Sequence, residues 1–353
     1  MKLKLCLVLI LFSFVNCSKP TIPLVVGTYT NGESEGIYQL TFNTDTGVLS
    51  TKKLVATSSN PSFITFSPDK KYVYSVNEDK DGTVSAYKVT ENGTLSFLNK
   101  VSANGAHPCH IAIDKSGEKV VVSNYTSGTV SIHSILNDGQ LSKASQVFNH
   151  TNSNEPSHAH SAQFFEDQLY VADLGRNAVY KYQLNDKSYI LKDSSIVRMN
   201  KKNGPRHFSM SKNGEFLYII NEYGNSITSV QKTKDGYQKI DSDTTLSNNY
   251  KKENSCADIH LSKDERFVYA SNRGENSIAV FKRDLNTGTL DKVQNSSVHG
   301  NWPRNFTLDP TGKFLLVGNQ YSNNITVFRI NSSTGKLTFL QSYEIDAPVC
   351  LIF

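Results

Sequence analysis

A short apolar run that ends in Asn or Asp recurs at a nearly constant interval along the chain. Examples are "YVYSVN" and "LYIIN", and neighbouring runs end 47, 49, 48, 51 and 47 residues apart. The six runs end at Asn77, Asn124, Asp173, Asn221, Asn272 and Asn319. Internal similarity at this period is typical of propellers and solenoids, in which each repeat is one supersecondary unit. The repeat therefore constrains the fold more than any single motif does.

Each repeat contains four segments with the alternating pattern of β-strands. A polar turn such as "DKSGE" separates the first two segments, and a third segment such as "TVSIHSI" follows. A hairpin turn such as "DGQLS" leads to the fourth segment, and its Gly supplies the positive φ that such turns require. Four antiparallel strands per repeat indicate propeller blades rather than helical repeats.

The two ends of the chain together supply one further blade. Residues 24–55 contain a second, third and fourth strand, whereas the C-terminal "APVCLIF" matches the first-strand segment "NPSFITF" at 60–66. We number the six complete repeats blades 1 to 6 and the split one blade 7. The sequence thus predicts an all-β, seven-bladed propeller of four-stranded antiparallel blades. Its ring is closed by the C-terminal strand pairing with N-terminal strands, which leaves no long unpaired inner edge.

The N-terminus has the form of a secretory signal rather than of a folded segment. Lys2 and Lys4 precede an apolar run over 5–15, which is too short for a permanent transmembrane helix. Cys17 ends this segment and resembles the lipidated cysteine of a bacterial lipoprotein. The alternative is an ordinary signal peptide with an incidental cysteine. We expect a signal peptide over 1–17, one propeller domain over 18–353, and an exported, lipid-anchored protein of the cell envelope or periplasm.

Charge and cysteine content exclude several classes of partner. The formal net charge of +5 is small and evenly spread, so nucleic acid is not an expected partner. The three remaining cysteines show no CxxC spacing, so we expect neither a disulfide framework nor a zinc site. We expect Cys109, Cys256 and Cys350 to be small buried side chains. We also expect a monomer that touches a membrane only through an N-terminal lipid anchor.

Two positions in every blade lie at the same mouth of a propeller's central channel. The first strand lines the channel and neighbouring strands alternate in direction, so the first strand starts where the second one ends. The first-strand positions are Ser62, Cys109, His160, Arg206, Ala257, Arg304 and Val349. The second-strand positions are Glu78, Tyr125, Leu174, Glu222, Arg273 and Gln320.

Blade 3 allows two alignments that place different histidines in the first-strand set. An ungapped count selects His158 and buries His160. A two-residue deletion in the following turn selects His160 and puts Ala162 and Phe164 at core positions. We prefer the second alignment on packing grounds.

Blades 3 to 6 bring cationic, acidic and imidazole side chains to one side of the mouth. These side chains belong to His160, Arg206, Glu222, Arg273 and Arg304. Such convergence suits an anion-binding or acyl-transfer pocket. The alternative is that arginines and a glutamate on the rim simply pair with each other in solvent.

The recurring Asn and Asp residues at the strand ends could form a ring of metal ligands. We interpret them instead as strand-ending caps whose side chains bond the backbone of the following turn. A residue type shared by nearly all blades indicates a shared structural need. We therefore expect no metal and no other cofactor.

Four short motifs resemble the seven-bladed propeller lactonases. They are "HAHSA" at 158–162, "GPRH" at 204–207, "NE" at 221–222 and "SNR" at 271–273. The family includes bacterial 6-phosphogluconolactonases of the propeller type and the fungal carboxymuconate cyclase, and the resemblance covers essentially the whole mature chain. It implies catalytic roles for His160, Arg206, Glu222 and Arg273, and substrate binding by His158, His207 and Arg304.

The implied activity is hydrolysis of a sugar lactone without a metal. Glu222 is expected to accept a proton from the attacking water, and His160 to protonate the leaving ring oxygen. Arg206 and Arg273 are expected to stabilise the oxyanion or to hold an anionic group of the substrate.

The signal segment separates this chain from the cytoplasm, where phosphorylated gluconolactone is made. The substrate is therefore a different lactone, or the activity has been lost. The competing hypothesis is a non-enzymatic, envelope-anchored propeller that binds a ligand or acts as a scaffold. A different lyase or isomerase is a third hypothesis.

Overall fold

The structure is a computed structural model that describes residues 20–152, 154–192, 197–234 and 236–353. The predicted signal peptide and Cys17 lie outside these residues. The described residues form 29 β-strands in seven antiparallel sheets. No helix in this part of the chain is long and apolar enough to cross a membrane.

The strands follow the predicted repeat. The chain begins in blade 7 with β1 (Thr21–Thr28), β2 (Gly36–Asn43) and β3 (Leu49–Thr57). Blade 1 contains β4 (Ile64–Phe66), β5 (Tyr72–Asn77), β6 (Thr83–Val89) and β7 (Leu95–Ser102). Blade 2 contains β8 (Pro108–Ile113), β9 (Lys119–Asn124), β10 (Thr129–Ile135) and β11 (Leu141–Asn149). Blade 3 contains β12 (Ala159–Phe165), β13 (Gln168–Asp173), β14 (Ala178–Asn185), β15 (Ser188–Leu191) and β16 (Val197–Arg198).

The second half of the chain repeats the same order. Blade 4 contains β17 (Pro205–Met210), β18 (Phe216–Asn221), β19 (Ser226–Thr233) and β20 (Gly236–Thr244). Blade 5 contains β21 (Ser255–Leu261), β22 (Phe267–Arg273), β23 (Ser277–Arg283) and β24 (Leu290–Ser297). Blade 6 contains β25 (Pro303–Leu308), β26 (Phe314–Asn319), β27 (Asn324–Ile330) and β28 (Leu337–Glu344), and β29 (Pro348–Ile352) returns to blade 7.

The ring closes as predicted. Strand β29 is the innermost strand of blade 7 and pairs antiparallel with β1, with Leu351 opposite Val26 and Cys350 opposite Gly27. The first and last strands of the described chain thus share one sheet, and β1 is paired on both of its edges, with β29 and with β2.

Blade 3 departs from the four-stranded plan in one respect. Both β15 and β16 pair with β14, so the outermost strand of this blade is in two pieces. The turn between β12 and β13 contains only Glu166 and Asp167, whereas the corresponding turn of blade 4 runs over 211–215. The shorter turn of blade 3 is the one that the preferred alignment predicted.

Neighbouring blades are joined by buried apolar clusters and by a repeated hydrogen bond. The hydroxyl groups of Tyr74, Tyr218 and Tyr269 lie at equivalent positions in the second strands, and each donates to a glycine carbonyl in the hairpin turn of the next blade at 3.0–3.1 Å. These hydroxyls are buried together with the apolar clusters between the sheets. A buried tyrosine needs such a partner, and here the bond also sets the distance between adjacent sheets.

The recurring Asn and Asp residues are buried, and most of them do not cap the turn that follows. Asp173 accepts a bond from the backbone N–H of Arg176, as the capping interpretation requires. Asn221 instead donates to the hydroxyl of Thr228 on the third strand, and Asn124 donates to a carbonyl of the incoming loop. The capping prediction was therefore wrong for most blades, because the buried amide N–H groups donate to the third strand or to the incoming loop instead of the following turn.

Candidate active site

In five blades, a β-bulge near the start of the innermost strand aims one side chain at the channel mouth. The register shifts by one residue around His160 in β12, around Arg206 in β17 and around Arg304 in β25. The same bulge occurs at Cys109 in blade 2 and at Val349 in blade 7. Bulges re-aim side chains in this way and are frequent at functional sites. The structure thus places His160, and not His158, at the position equivalent to Arg206, as the preferred alignment predicted.

Glu222 lies between two arginines. Its Oε2 is 3.0 Å from Nε of Arg206, and its Oε1 is 3.0 Å from Nη2 of Arg273. The two arginines thus pair with the glutamate, as the alternative of paired rim charges proposed. The pairs are largely buried, however, and do not lie in open solvent. The exposed fractions of the side chains are 2% for Arg206, 5% for Arg273 and 15% for Glu222. Removing one partner would leave a buried charge uncompensated, which is strongly unfavourable.

Arg206 makes two hydrogen bonds in addition to its ion pair with Glu222. Its Nη1 donates to the carbonyl oxygen of Ala257 at 2.6 Å and to Nε2 of His207 at 3.2 Å. Burial, together with the charges of Arg273 and Arg304, lowers the pKa of Arg206 to about 10. The guanidinium therefore remains charged at neutral pH.

His207 lies one layer deeper in the channel than the predicted substrate-binding site at the mouth. Its Nδ1–H donates to the Asp258 carboxylate at 2.8 Å, and burial lowers the pKa of His207 to about 4. Asp258 also accepts bonds from Nδ2 of Asn305 at 2.6 Å and from Nε2 of His260 at 3.1 Å. The imidazole thus links a buried carboxylate to Arg206. It lines a channel cavity of about 420 Å³ that none of the bulge residues lines.

A second ion pair lies across the mouth. Nη2 of Arg304 is 3.7 Å from Oε1 of Glu78, whose other oxygen accepts a bond from the hydroxyl of Tyr29 at 2.8 Å. The guanidinium of Arg304 also packs over the Tyr29 ring at 5.3 Å. Within the described part of the chain, this guanidinium makes no hydrogen bond to protein. Arg304 is therefore better placed than Arg206 or Arg273 to donate to a ligand.

Sequence reasoning missed Tyr29, although the signal was present. Tyr29 follows the end of β1 and so occupies the second-strand position of blade 7. The preceding residue is Thr28 rather than Asn or Asp, so a pattern that requires Asn or Asp at the strand end does not include this strand. Aligning "VVGTY" with "LVGNQ" would have placed Tyr29 beside Glu78 and Arg304.

His160 is buried among positive charges. Nδ1 of His160 lies 3.8 Å from Sγ of Cys109, and the imidazole packs edge-on against the rings of Tyr125 and His207. Burial, and then the charge of Arg206, lowers the pKa of His160 well below its usual range. The imidazole is therefore neutral at neutral pH, so it can accept a proton but does not begin as a cationic acid.

His158 lies on the rim rather than in the cluster. Its ring stacks on Tyr125 at 4.9 Å, and its Nδ1–H donates to the Tyr125 carbonyl at 3.0 Å. Together with Tyr125, Lys202 and Tyr223 it lines a groove of about 390 Å³. The structure thus separates the two histidines of "HAHSA" into one at the channel and one at its edge.

The remaining expectations concern cysteines and metals. Cys109, Cys256 and Cys350 are buried and free, as the prediction of small buried side chains required. Within the described ranges, no group of three or more His, Cys, Asp or Glu side chains is arranged to hold a metal ion. At the mouth, three guanidinium groups face two carboxylates, which leaves an excess of one positive charge for an anionic ligand or transition state.

Known proteins share both the sequence pattern and the fold. The family described as lactonase, 7-bladed beta-propeller, matches residues 23–353. A 6-phosphogluconolactonase of Bacillus subtilis is 34% identical over 93% of this chain and 97% of its own length. A 6-phosphogluconolactonase of Formosa agariphila is 36% identical over 82% of this chain and 87% of its own.

A solved structure extends the likeness to an exported relative. The periplasmic gluconolactonase of Pseudomonas aeruginosa is 29% identical, covers 94% of this chain and 98% of its own, and superposes with a TM-score of 0.89. The family match spans nearly all of the chain, and the 34% identical relative is matched over almost its whole length. The chain therefore belongs to the lactonase family of seven-bladed β-propellers.

Proposed function

We propose that this protein hydrolyses a sugar lactone to the corresponding aldonic acid at the channel mouth. The observation that carries the proposal is the arrangement of Glu222, Arg206 and Arg273 in one ion-paired group, with the second ion pair, between Arg304 and Glu78, across the mouth. Relatives named for hydrolysis of 6-phosphogluconolactone and gluconolactone support it. The mechanism proposed below keeps the predicted role of His160 as the acid that protonates the ring oxygen, and it moves the predicted proton-accepting role from Glu222 to His160.

The first step requires a base and an oxyanion site. A water attacks the lactone carbonyl carbon, and its proton passes to the neutral imidazole of His160. Arg304 donates to the carbonyl oxygen as that oxygen becomes negative, since among the described residues it has an ion pair with Glu78 but no hydrogen bond. Both oxygens of Glu222 already face arginines, so Glu222 holds Arg206 and Arg273 in place rather than taking the proton.

The second step returns the proton. The tetrahedral intermediate collapses, the bond between the carbonyl carbon and the ring oxygen breaks, and protonated His160 gives its proton to that ring oxygen. The imidazole is thus the base first and the acid second. The neighbouring arginines favour release of the proton because they disfavour an imidazolium. The collapse gives a hydroxyl group and a carboxylic acid. The acid then releases its proton to solvent, and the resulting carboxylate can be bound by Arg206 and Arg273.

The substrate is proposed to be unphosphorylated. The mouth has an excess of one positive charge, which matches one oxyanion or one product carboxylate rather than these plus a phosphate dianion. The sequence predicts export, and the gluconolactonase of Pseudomonas aeruginosa is named as periplasmic. We propose that the protein acts as a monomer in the envelope or periplasm, anchored through Cys17, without metal, cofactor or nucleic acid.

A lactone panel tests the proposal. The purified mature chain is given glucono-1,5-lactone and its 6-phosphate, and acid release is followed by pH-stat above the spontaneous rate. We expect hydrolysis of the unphosphorylated lactone, unchanged by EDTA. Loss of activity in EDTA that calcium restores would contradict metal independence. Absence of any hydrolysis, with gluconate still bound in calorimetry, would instead favour a ligand-binding propeller.

A further inference from the structure

An aromatic pair extends outward from the candidate site on blade 6. The rings of Trp302 and Tyr321 stack with centroids 4.9 Å apart and an angle of 24° between their planes. The guanidinium of Arg273 also packs against Trp302 at 5.3 Å, and the same Arg273 is bonded to Glu222. Tyr321 is 58% exposed. The aromatic surface therefore runs continuously from the ion-paired group to open solvent.

The backbone at Trp302 is unusual for so large a residue. The residue before the first-strand proline has positive φ in several blades, including Asn60 at 40°, Gly204 at 64° and Trp302 at 67°. Gly and Asn adopt this conformation readily, whereas a bulky residue there is an outlier that costs of order 1–3 kcal/mol. Blade 6 holds its tryptophan in this geometry through a bond from the Trp302 N–H to Oδ1 of Asn276 at 2.9 Å. Because His107 and Ala347 also adopt positive φ at this position, at 52° and 37°, the backbone belongs to the blade plan, and blade 6 uses it to place an indole ring beside Arg273.

A groove opens beside this tryptophan. It has a volume of about 380 Å³ and is bounded on one side by Trp302 and Arg273. Its other walls carry amide, ammonium, carboxylate and hydroxyl groups, from Asn225, Lys252, Glu253, Asn254 and Ser255. The volume lies within the range of small-ligand pockets, and is too small for a folded partner.

The combination of one aromatic wall with hydrogen-bonding groups around it suits a sugar ring. A pyranose presents an apolar face of C–H groups that packs on an aromatic ring, and its hydroxyls, at the edge, both donate and accept hydrogen bonds. A flat apolar ligand would leave the polar walls unpaired, which is unfavourable. Because the groove shares Arg273 with the candidate site, a sugar in the groove lies next to a lactone at the mouth.

We propose that this groove is a second sugar subsite, so that the preferred substrate is the lactone of a disaccharide acid. The inference rests on the proposed function, since it concerns the substrate of the same site. The ester bond of the terminal lactone ring is the only bond cleaved. The second ring is held in the groove and leaves unchanged with the product.

The protein contains a single tryptophan, so its fluorescence reports directly on this groove. The wild-type mature chain is titrated with cellobionate and, separately, with gluconate. We expect cellobionate to change the tryptophan emission and to bind at least about tenfold more tightly than gluconate, which is the effect of a few added contacts. Equal affinities, or an unchanged emission at saturating cellobionate, would overturn the subsite.

Steady-state kinetics provide a second test of the subsite. We expect kcat/KM for cellobiono-1,5-lactone to exceed that for glucono-1,5-lactone by about tenfold. Tyr321→Ala removes the ring that stacks on Trp302, and we expect it to lower this ratio. The matched control is Phe97→Ala, because Phe97 is equally exposed at 56% but lies on β7, the outermost strand of blade 1. A ratio that falls equally in both variants, or in neither, would contradict the inference.

The two proposals fail in different ways. If gluconolactone is hydrolysed but cellobionate is not preferred, the subsite is wrong and the proposed function stands. If cellobionate changes the emission but neither lactone is hydrolysed, the proposed lactonase function is wrong, and the groove remains a sugar-binding site.

Discussion

Nδ1 of His207 lies 2.8 Å from a carboxylate oxygen of Asp258, and this bond decides which ring nitrogen faces Arg206. Because the carboxylate accepts the Nδ1–H, the lone pair is on Nε2, which receives the Nη1–H of Arg206 at 3.2 Å. A buried negative charge one layer below the mouth is thereby connected to a guanidinium at the mouth. Asp258 and His207 are positioning residues for Arg206 in this arrangement.

Replacing Asp258 with Asn should reduce activity through Arg206. The amide has the size of the carboxylate but no charge, and it no longer selects the Nδ1–H form of His207. A misplaced guanidinium is expected to lower kcat by about tenfold to a hundredfold, with a smaller change in KM. Steady-state kinetics on the best lactone of the panel measure the two constants separately.

A second buried aspartate serves as the control for Asp258→Asn. Asp309 is also buried, but its carboxylate accepts backbone bonds from Thr311 and Phe314 in the turn between β25 and β26. Asp309→Asn should lower the thermal midpoint without separating kcat from KM. A similar kinetic change in both variants would mean that Asp258 acts on stability alone.

Glu222→Gln should inactivate the protein while leaving it folded. The amide keeps the shape of the side chain, but it no longer compensates the charges of Arg206 and Arg273, which then repel each other. We expect kcat/KM to fall at least about a hundredfold, because the loss of one preorganised electrostatic group has effects of that size. The measurement is acid release by pH-stat, with circular dichroism to confirm the fold.

The control for Glu222→Gln is another ion-paired glutamate. Glu265 lies 3.5 Å from Arg283, in the turn that joins β21 to β22, and its side chain is similarly exposed. Glu265→Gln should retain wild-type kinetics. Full activity in Glu222→Gln, together with full activity in Arg206→Ala, would show that the site has been assigned to the wrong residues.

The repeat was sufficient to place much of the site, because the blade geometry is the same seven times. Knowing where Arg206 starts a strand and where Glu222 ends one was enough to predict that they are neighbours. The position of Asp258 was not accessible in the same way. Its partners His207 and Asn305 come from the adjacent blades, and no local pattern in the sequence marks a carboxylate that accepts bonds from two other repeats.

The activity should persist to a pH below the usual range of histidine. Burial and the charge of Arg206 lower the pKa of His160, and a base is active only when it is deprotonated. The fall in kcat/KM on the acid side should therefore lie clearly below pH 6.5 rather than near it. Rates corrected for spontaneous hydrolysis between pH 4 and pH 7.5 measure this limb. A midpoint at or above pH 6.5 would argue against His160 as the base.

Folding stability should fall on acidification for the same physical reason. The pKa of His207 is lowered to about 4 by burial, whereas the unfolded chain has the ordinary value near 6.5. The unfolded state then binds more protons, so stability is fully present above pH 6.5 and is lost as the pH falls towards 4. Burial lowers the pKa of His110, His133 and His160 in the same direction. Two groups act in the opposite direction: the pKa of His260 is raised beside Asp258, and burial raises the pKa of Asp243 to about 6.

Urea unfolding at pH 7.5, 6.0 and 5.0 tests this dependence. We expect the free energy of unfolding to decrease by a few kcal/mol over this range, and His207 contributes to the decrease between pH 6.5 and pH 5.0. In His207→Gln the slope should be shallower. A free energy of unfolding that stays constant from pH 7.5 to 5.0 would mean that these histidines are not buried in neutral form.

Ring closure should depend on the C-terminal strand, because hydrogen bonds and side-chain packing alone join it to the N-terminal strands. Leu351 on β29 is 2% exposed and packs in the cluster that contains Leu24, Val26 and Phe314, so it touches blades 6 and 7 at once. Leu351→Ala should cost about 2–5 kcal/mol, as truncation of a buried leucine does, and should lower the thermal midpoint. Leu340→Ala is the matched control, since Leu340 on β28 is 37% exposed and its loss should cost less than about 0.5 kcal/mol. Equal midpoints for the two variants would show that the last strand does not hold the ring together.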